Sequence, residues 1–177
     1  EVVGRRFTSE FAILSEHILS GGFQSIPDTS FGMRLKMWIE SFKWITESPI
    51  IGFGNGIEPH LLRNATHLTH EQYNDFNHVH NSFFATLLRF GMVGFSLCLV
   101  VLLLPYCELL RSTHENHSLR HIRYLSTMFL VYWIIVNNFE PFYYMKAGIW
   151  TYTVFMAAIY TIPLSNRYKN YQASLKS

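Results

Sequence analysis

The chain has 177 residues, of which 49% are hydrophobic, 16% aromatic and only 15% charged, against about 25% charged in an average soluble domain. A formal net charge of +2 with no dense basic tract argues against a nucleic-acid partner. The mean hydropathy of +0.12 leaves the distribution of apolar residues along the chain to decide between a soluble core and a membrane.

The chain starts at Glu1 rather than at a methionine and opens with no signal-peptide pattern, which reads as the C-terminal part of a longer protein. Phe11 to Leu19 carries apolar residues at helical spacing, Gly21-Gly22 breaks that pattern, and Pro27 to Ser30 reads as a turn. Arg5 and Arg6 read as a solvated face or as part of an anion site. Residues 31–48 give the clearest amphipathic helix, with Thr29 or Ser30 as its cap and Pro49 as its stop. Met37, Trp38, Phe42 and Ile45 would form its apolar stripe, with Arg34 one turn before Trp38. Gly52, Gly54 and Gly56 follow, and glycines so closely spaced demand unusual backbone angles or the close approach of another group. Their spacing is not that of a dinucleotide-binding loop.

Residues 57–82 are polar and hold His60, His67, His70, His78 and His80. They read as a loop outside a membrane. Residues 83–106 then run apolar with one charge, Arg89, and exceed the roughly 20 residues needed to cross the hydrocarbon layer. Asn81 and Ser82 can cap that helix. Arg89 either snorkels to the interface or faces an anionic substrate. Spans are also expected at about 122–139 and 147–164. Cys98 and Cys107 lie about 13 Å apart along one helix, too far for a disulfide.

Lysine and arginine counts set the orientation. The segment 107–123 holds three, the tail after Leu164 three, and the connector 137–146 one. The first and the tail should therefore be cytoplasmic, and residues 1–82 should face the opposite side. The fold expected is all-α: a large, mainly helical loop over residues 1–82, then a membrane part over 83–177 with three transmembrane helices and a cytoplasmic tail.

Five histidines invite a metal site, yet no cysteine and few carboxylates (Glu58, Glu71, Asp75) accompany them, and HExxH is missing. The expectation is no metal and no cofactor. A more telling order is Arg34 and Trp38 on one helix, Pro49, Gly52-Phe53-Gly54, a polar loop, His78-Val79-His80-Asn81, then Gly91 and Gly94.

In that order, from about Gly32 to Gly94, the chain resembles the O-antigen ligase family of bacterial polytopic membrane proteins. The resemblance implies a metal-independent glycosyltransferase of the inner membrane with its active-site loop in the periplasm. It would move a glycan from an undecaprenyl-diphosphate carrier to an acceptor, the lipid A–core sugar in the ligase proper. The essential loop arginine falls on Arg34 and the essential histidine on His80. A second family arginine, upstream of the loop, falls either on Arg5 or Arg6 or in a part of the protein before this sequence. The chemistry agrees: arginine offers a permanent bidentate fork for a diphosphate, and histidine, titrating ordinarily near pH ~6.5, can accept a proton from an attacking hydroxyl. His78, Asn81 and Arg89 would add contacts to substrate. Gly52, Gly54 and Gly56 would let backbone N–H groups approach phosphate oxygens. Two alternatives stay open: a glycan polymerase or protein O-oligosaccharyltransferase of the same family, and a transporter or non-catalytic membrane protein in which Arg89 and Glu140 line a path.

Overall fold

The computed structural model describes residues 26–66, 68, 76, 78–113 and 119–175, with Ala12, Ser15 and Glu16 before them. The helix expected at 11–19 falls outside the described residues except for those three, which are helical. Arg5, Arg6, His67 and His70 also fall outside. The described elements are α1 (Ser30–Glu47), α2 (Glu58–Arg63), α3 (Ser82–Thr113), α4 (Arg120–Phe139), a 3₁₀ turn (Phe142–Tyr144) and α5 (Lys146–Ser174). The described residues are all helix, turn or coil with no strand. The chain divides into two compact units, residues 1–94 and 95–177.

In the first unit, Thr29 caps α1 by accepting from the Gly32 amide at 3.1 Å, and Ser48 ends it before Pro49. Its buried face is Met33, Met37, Glu40, Ser41 and Trp44, at spacings of four, three, one and three. This differs from the stripe expected: Phe42 is 64% exposed. The reason is the buried carboxylate. Glu40 accepts the Thr66 amide at 2.7 Å and the Thr66 hydroxyl, and those bonds turn its side of the helix inward in place of Phe42. Trp38, half-buried, meets Phe31 and Phe84 edge-on, with centroids 6.2 and 6.3 Å away. This contact brings α1 against the first turn of α3.

In the second unit, Leu109, Met156 and Ile159 form the core, and Tyr106, Ile122, Phe129 and Phe155 pack on it. Phe129 stacks on Phe155 at 3.7 Å, and Trp133 leans on Tyr152 at 5.2 Å. Asn137, fully buried, donates to the Trp133 carbonyl and accepts from the Tyr143 amide, both at 2.8 Å. It thereby folds the connector back on the end of α4. Burial, and secondarily the neighbouring Cys98, pushes the Tyr143 phenol up to about 12.

Among the described residues, two helices are long and apolar enough to cross a membrane: Ser82–Arg111 and Lys146–Ser174. Both present large apolar side chains outward, among them Leu97, Val100, Leu104, Trp150 and Val154, as a lipid-facing surface requires. Helix α4 covers the second span expected from sequence but does not join this set. Arg120, His121 and Arg123 occupy its first turn and Asn137-Asn138 its last, which leaves an apolar stretch short of the roughly 20 residues a span needs.

Candidate active site

Glu58, Arg89 and the histidine turn are linked where the glycine-rich loop meets α3. That helix is broken at Gly91, whose backbone has φ +59° and ψ −162°. The break removes the ordinary bonds from the amides of Met92 and Val93 to the carbonyls of Leu88 and Arg89. The loop 49–54 takes both sets of partners. The Phe53 and Gly54 amides donate to the Leu88 and Arg89 carbonyls at 2.7 and 2.9 Å. In return, the Met92 and Val93 amides donate to the Pro49 and Ile50 carbonyls at 2.8 and 3.2 Å. The loop is thus spliced into the helix, and four polar backbone groups that lipid could not satisfy are satisfied by protein.

Only glycine allows this approach. A Cβ on Gly52, at φ +68°, would lie 2.6 Å from the Arg89 carbonyl carbon and 2.7 Å from the Gly91 nitrogen. One on Gly91 would overlap the backbone of Ile50 and Ile51. The sequence anticipated a close approach by another group at these glycines. That group is a helix of this chain: the amide of Gly54, one of the glycines expected to bring N–H groups to phosphate oxygens, is bonded to α3, as is that of Phe53.

Glu58, at the start of α2, lies beside this splice and is 1% exposed. One carboxylate oxygen accepts from Arg89, through Nε at 2.7 Å and through a terminal nitrogen. The other accepts the backbone amide of Val79 at 2.9 Å. Arg89, expected to meet substrate or interface, forms an ion pair with this buried carboxylate. Reasoning from sequence noted Glu58 only as one of few carboxylates. The signal was Arg89 itself, since an arginine inside an apolar helix calls for a counter-ion; Pro59 at the helix start was the second hint.

Val79, fully buried, stands between the two histidines. His80 follows with φ +48°, the one positive value at a non-glycine among the described residues. The left-handed region costs a residue with a Cβ about 1–2 kcal/mol. Asn81 pins the other side: its side-chain oxygen accepts the amides of Phe83 and Phe84 at 2.9 and 3.0 Å, capping α3. Of the roles read for Asn81, these two bonds serve the cap. The rings of His78 and His80 lie 4.2 Å apart, and Phe76 meets the His80 ring edge-on at 5.4 Å. Arg34 sits on α1 one turn before Trp38, its guanidinium bonded to the Ser30 hydroxyl at 2.7 Å and carbonyl at 3.1 Å.

Residues 5–99 match the family described as O-antigen ligase. The chain belongs to the O-antigen ligase family. It is accordingly a membrane protein of the O-antigen ligase and polymerase type, a group of glycosyl-transferring enzymes. No curated protein matches it. The ligase match takes in the glycine splice, Glu58, the histidine pair and the first half of α3.

Proposed function

We propose that this ligase-family chain transfers a glycan from an undecaprenyl-diphosphate carrier to an acceptor hydroxyl, the lipid A–core sugar in the first instance, with His80 as general base. One observation carries the reading. His80 is held in a strained backbone between two anchors, the Glu58–Val79 bond and the Asn81 cap. Strain of this kind, about 1–3 kcal/mol, persists where surrounding structure over-determines it, and it concentrates at active sites. In the proposed reaction the acceptor oxygen attacks the anomeric carbon and gives its proton to the His80 imidazole. The bond from that carbon to the phosphate oxygen breaks, and the diphosphate departs with the electron pair. Arg34 supplies a fixed positive fork for that leaving group. His78 stands beside the base as an additional substrate contact.

Glu58 and Arg89 act in this scheme as positioning residues, and Gly52 and Gly54 allow the splice that carries them. No metal or cofactor takes part. The same reading puts the site on the periplasmic face of the inner membrane and the C-terminal tail in the cytoplasm, on the lysine and arginine counts, with α4 as a third, shorter crossing whose polar first turn and Asn137-Asn138 lie in the headgroup zones.

The test is transfer in proteoliposomes containing the polyprenyl-linked donor and either a lipid A–core acceptor or a free glycan acceptor. His80→Ala should lower the rate about 10²–10⁴-fold with the protein still inserted at its normal level. Arg34→Lys should fail as well, because a point charge does not replace the bidentate fork. Wild-type rates in either variant would remove that residue from the mechanism. Transfer to the free glycan alone would make the enzyme a polymerase.

A further inference from the structure

The second unit carries a separate cluster of charge that glycosyl transfer does not use. Where α3 and α5 leave their apolar stretches they enclose a cleft of about 630 Å³, within the ~300–1,000 Å³ range of small-molecule sites. Arg111 comes from α3; Asn166, Arg167, Lys169 and Asn170 come from α5. Glu108 sits among them, its side chain 20% exposed. It accepts from Arg167 and stands 4.0 Å from Arg111. One carboxylate therefore gathers two guanidiniums at one wall while neutralising only one of three cations. Asn166 and Asn170, one turn apart on α5, add amide donors to the same lining. Converging cations and neutral donors around a concave space suit a phosphate better than a solvated tail does.

The level of the cleft indicates where that phosphate comes from. Leu164 of α5 is 50% exposed, and Tyr168 and Tyr171 are 64% and 60% exposed just beyond it. Exposed tyrosines directly after the apolar stretch of a helix mark the headgroup zone of a bilayer. On α3, Leu103 and Leu104 are exposed one turn before Glu108, as surface for an acyl chain. The geometry points to a binding site for the phosphate headgroup of an anionic membrane lipid, held by Arg111, Arg167 and Lys169 at the end of the α3–α5 pair.

The probe is dioctanoyl-phosphatidylglycerol, titrated into the purified protein in neutral detergent and followed by native mass spectrometry, with dioctanoyl-phosphatidylcholine as reference. The anionic lipid should bind at least tenfold tighter than the zwitterionic one, and the preference should shrink as salt is raised. Each cation near a lipid phosphate is worth about fivefold in affinity, so Arg111→Gln with Lys169→Gln should weaken binding about 25-fold. Its lipid-free melting temperature should match wild type; if the pair fails to fold, Lys169→Gln alone should show about the fivefold loss. Equal affinity for the two lipids, or full affinity in the variants, would overturn the site. Complete competition by inorganic phosphate at equal concentration would overturn the lipid assignment in favour of a soluble anion.

Discussion

At Gly91 the helix α3 is broken outright, and at Pro105 it runs on with one bond missing. The first gap is filled by backbone, since loop 49–54 donates two bonds and accepts two. The second is filled by a side chain. Pro105 has no N–H to offer the Val101 carbonyl, and the Tyr152 hydroxyl donates to that oxygen at 2.9 Å and to Leu102 at 3.1 Å. A backbone repair leaves no room for any side chain and fixes everything attached to it. A side-chain repair costs one hydroxyl and constrains little. The proposed chemistry lies with the first kind, because the helix so fixed carries Arg89, and Arg89 with Glu58 holds the histidine turn.

The largest expected effect breaks the backbone repair itself. In Gly91→Ala the new methyl meets the Ile50 carbonyl, which cannot step aside without losing its bond to Val93. Left-handed strain of about 1–3 kcal/mol adds to overpacking of about 1–3 kcal/mol, so a loss of more than about 3 kcal/mol is expected. Denaturant unfolding in detergent measures it. Gly52→Ala should behave alike, whereas Gly54→Ala, with open space at its Cβ, should cost only the strain. A wild-type midpoint for Gly91→Ala would mean the splice is not rigid.

Next comes the ion pair that the splice positions. Glu58→Gln leaves Arg89 without its countercharge, and breaking a buried pair typically costs about 3–5 kcal/mol. The low end applies, because the Arg89 side chain keeps 17% exposure. Combining it with Arg89→Met removes the orphaned charge while the glutamine still accepts the Val79 amide. Most of the stability should return, and with it most of the transfer activity. Recovery of stability without activity would show that Arg89 touches substrate as well.

How much of this was legible follows the range of each interaction. The α1 boundaries, the stop at Pro49 and the cap at Asn81 depend on neighbours within four residues, and the sequence carries them. The glycines announced a close approach but could not name the partner, because Gly52 and Gly91 are joined through space and share no periodicity. Glu58 and Arg89, 31 positions apart, were hidden for the same reason. The stripe on α1 failed differently: hydrophobicity pointed to Phe42, and the polar contact of Glu40 with Thr66 decided otherwise.

A smaller effect separates the strain at His80 from its chemistry. His80→Ala and His80→Gly should both lower transfer by the same factor of about 10²–10⁴. The glycine variant should be about 1 kcal/mol more stable than the alanine variant, because glycine adopts φ +48° without the penalty of a Cβ. Thermal unfolding of the two proteins side by side measures the difference. Equal stability would mean that the turn relaxes once the imidazole is gone, and the anchors would then be weaker than their geometry indicates.

The smallest effect tests the side-chain repair. Tyr152→Phe removes the donor to the Val101 carbonyl and should cost about 1 kcal/mol, the usual worth of a single hydrogen bond. Some of that loss could come instead from changed packing against Trp133 and Phe129, which also touch the Tyr152 ring. Pro105→Ala tells the two apart, because it restores an N–H facing the same carbonyl. In that background the hydroxyl has nothing to repair, so Tyr152→Phe should become nearly neutral, with a coupling of at least about 0.5 kcal/mol across the double-mutant cycle. The packing contribution would be the same in both backgrounds. If Tyr152→Phe costs as much alongside Pro105→Ala as it does with the proline in place, the hydroxyl does not mend the helix, and the contrast with Gly91 reduces to one break and one well-packed tyrosine.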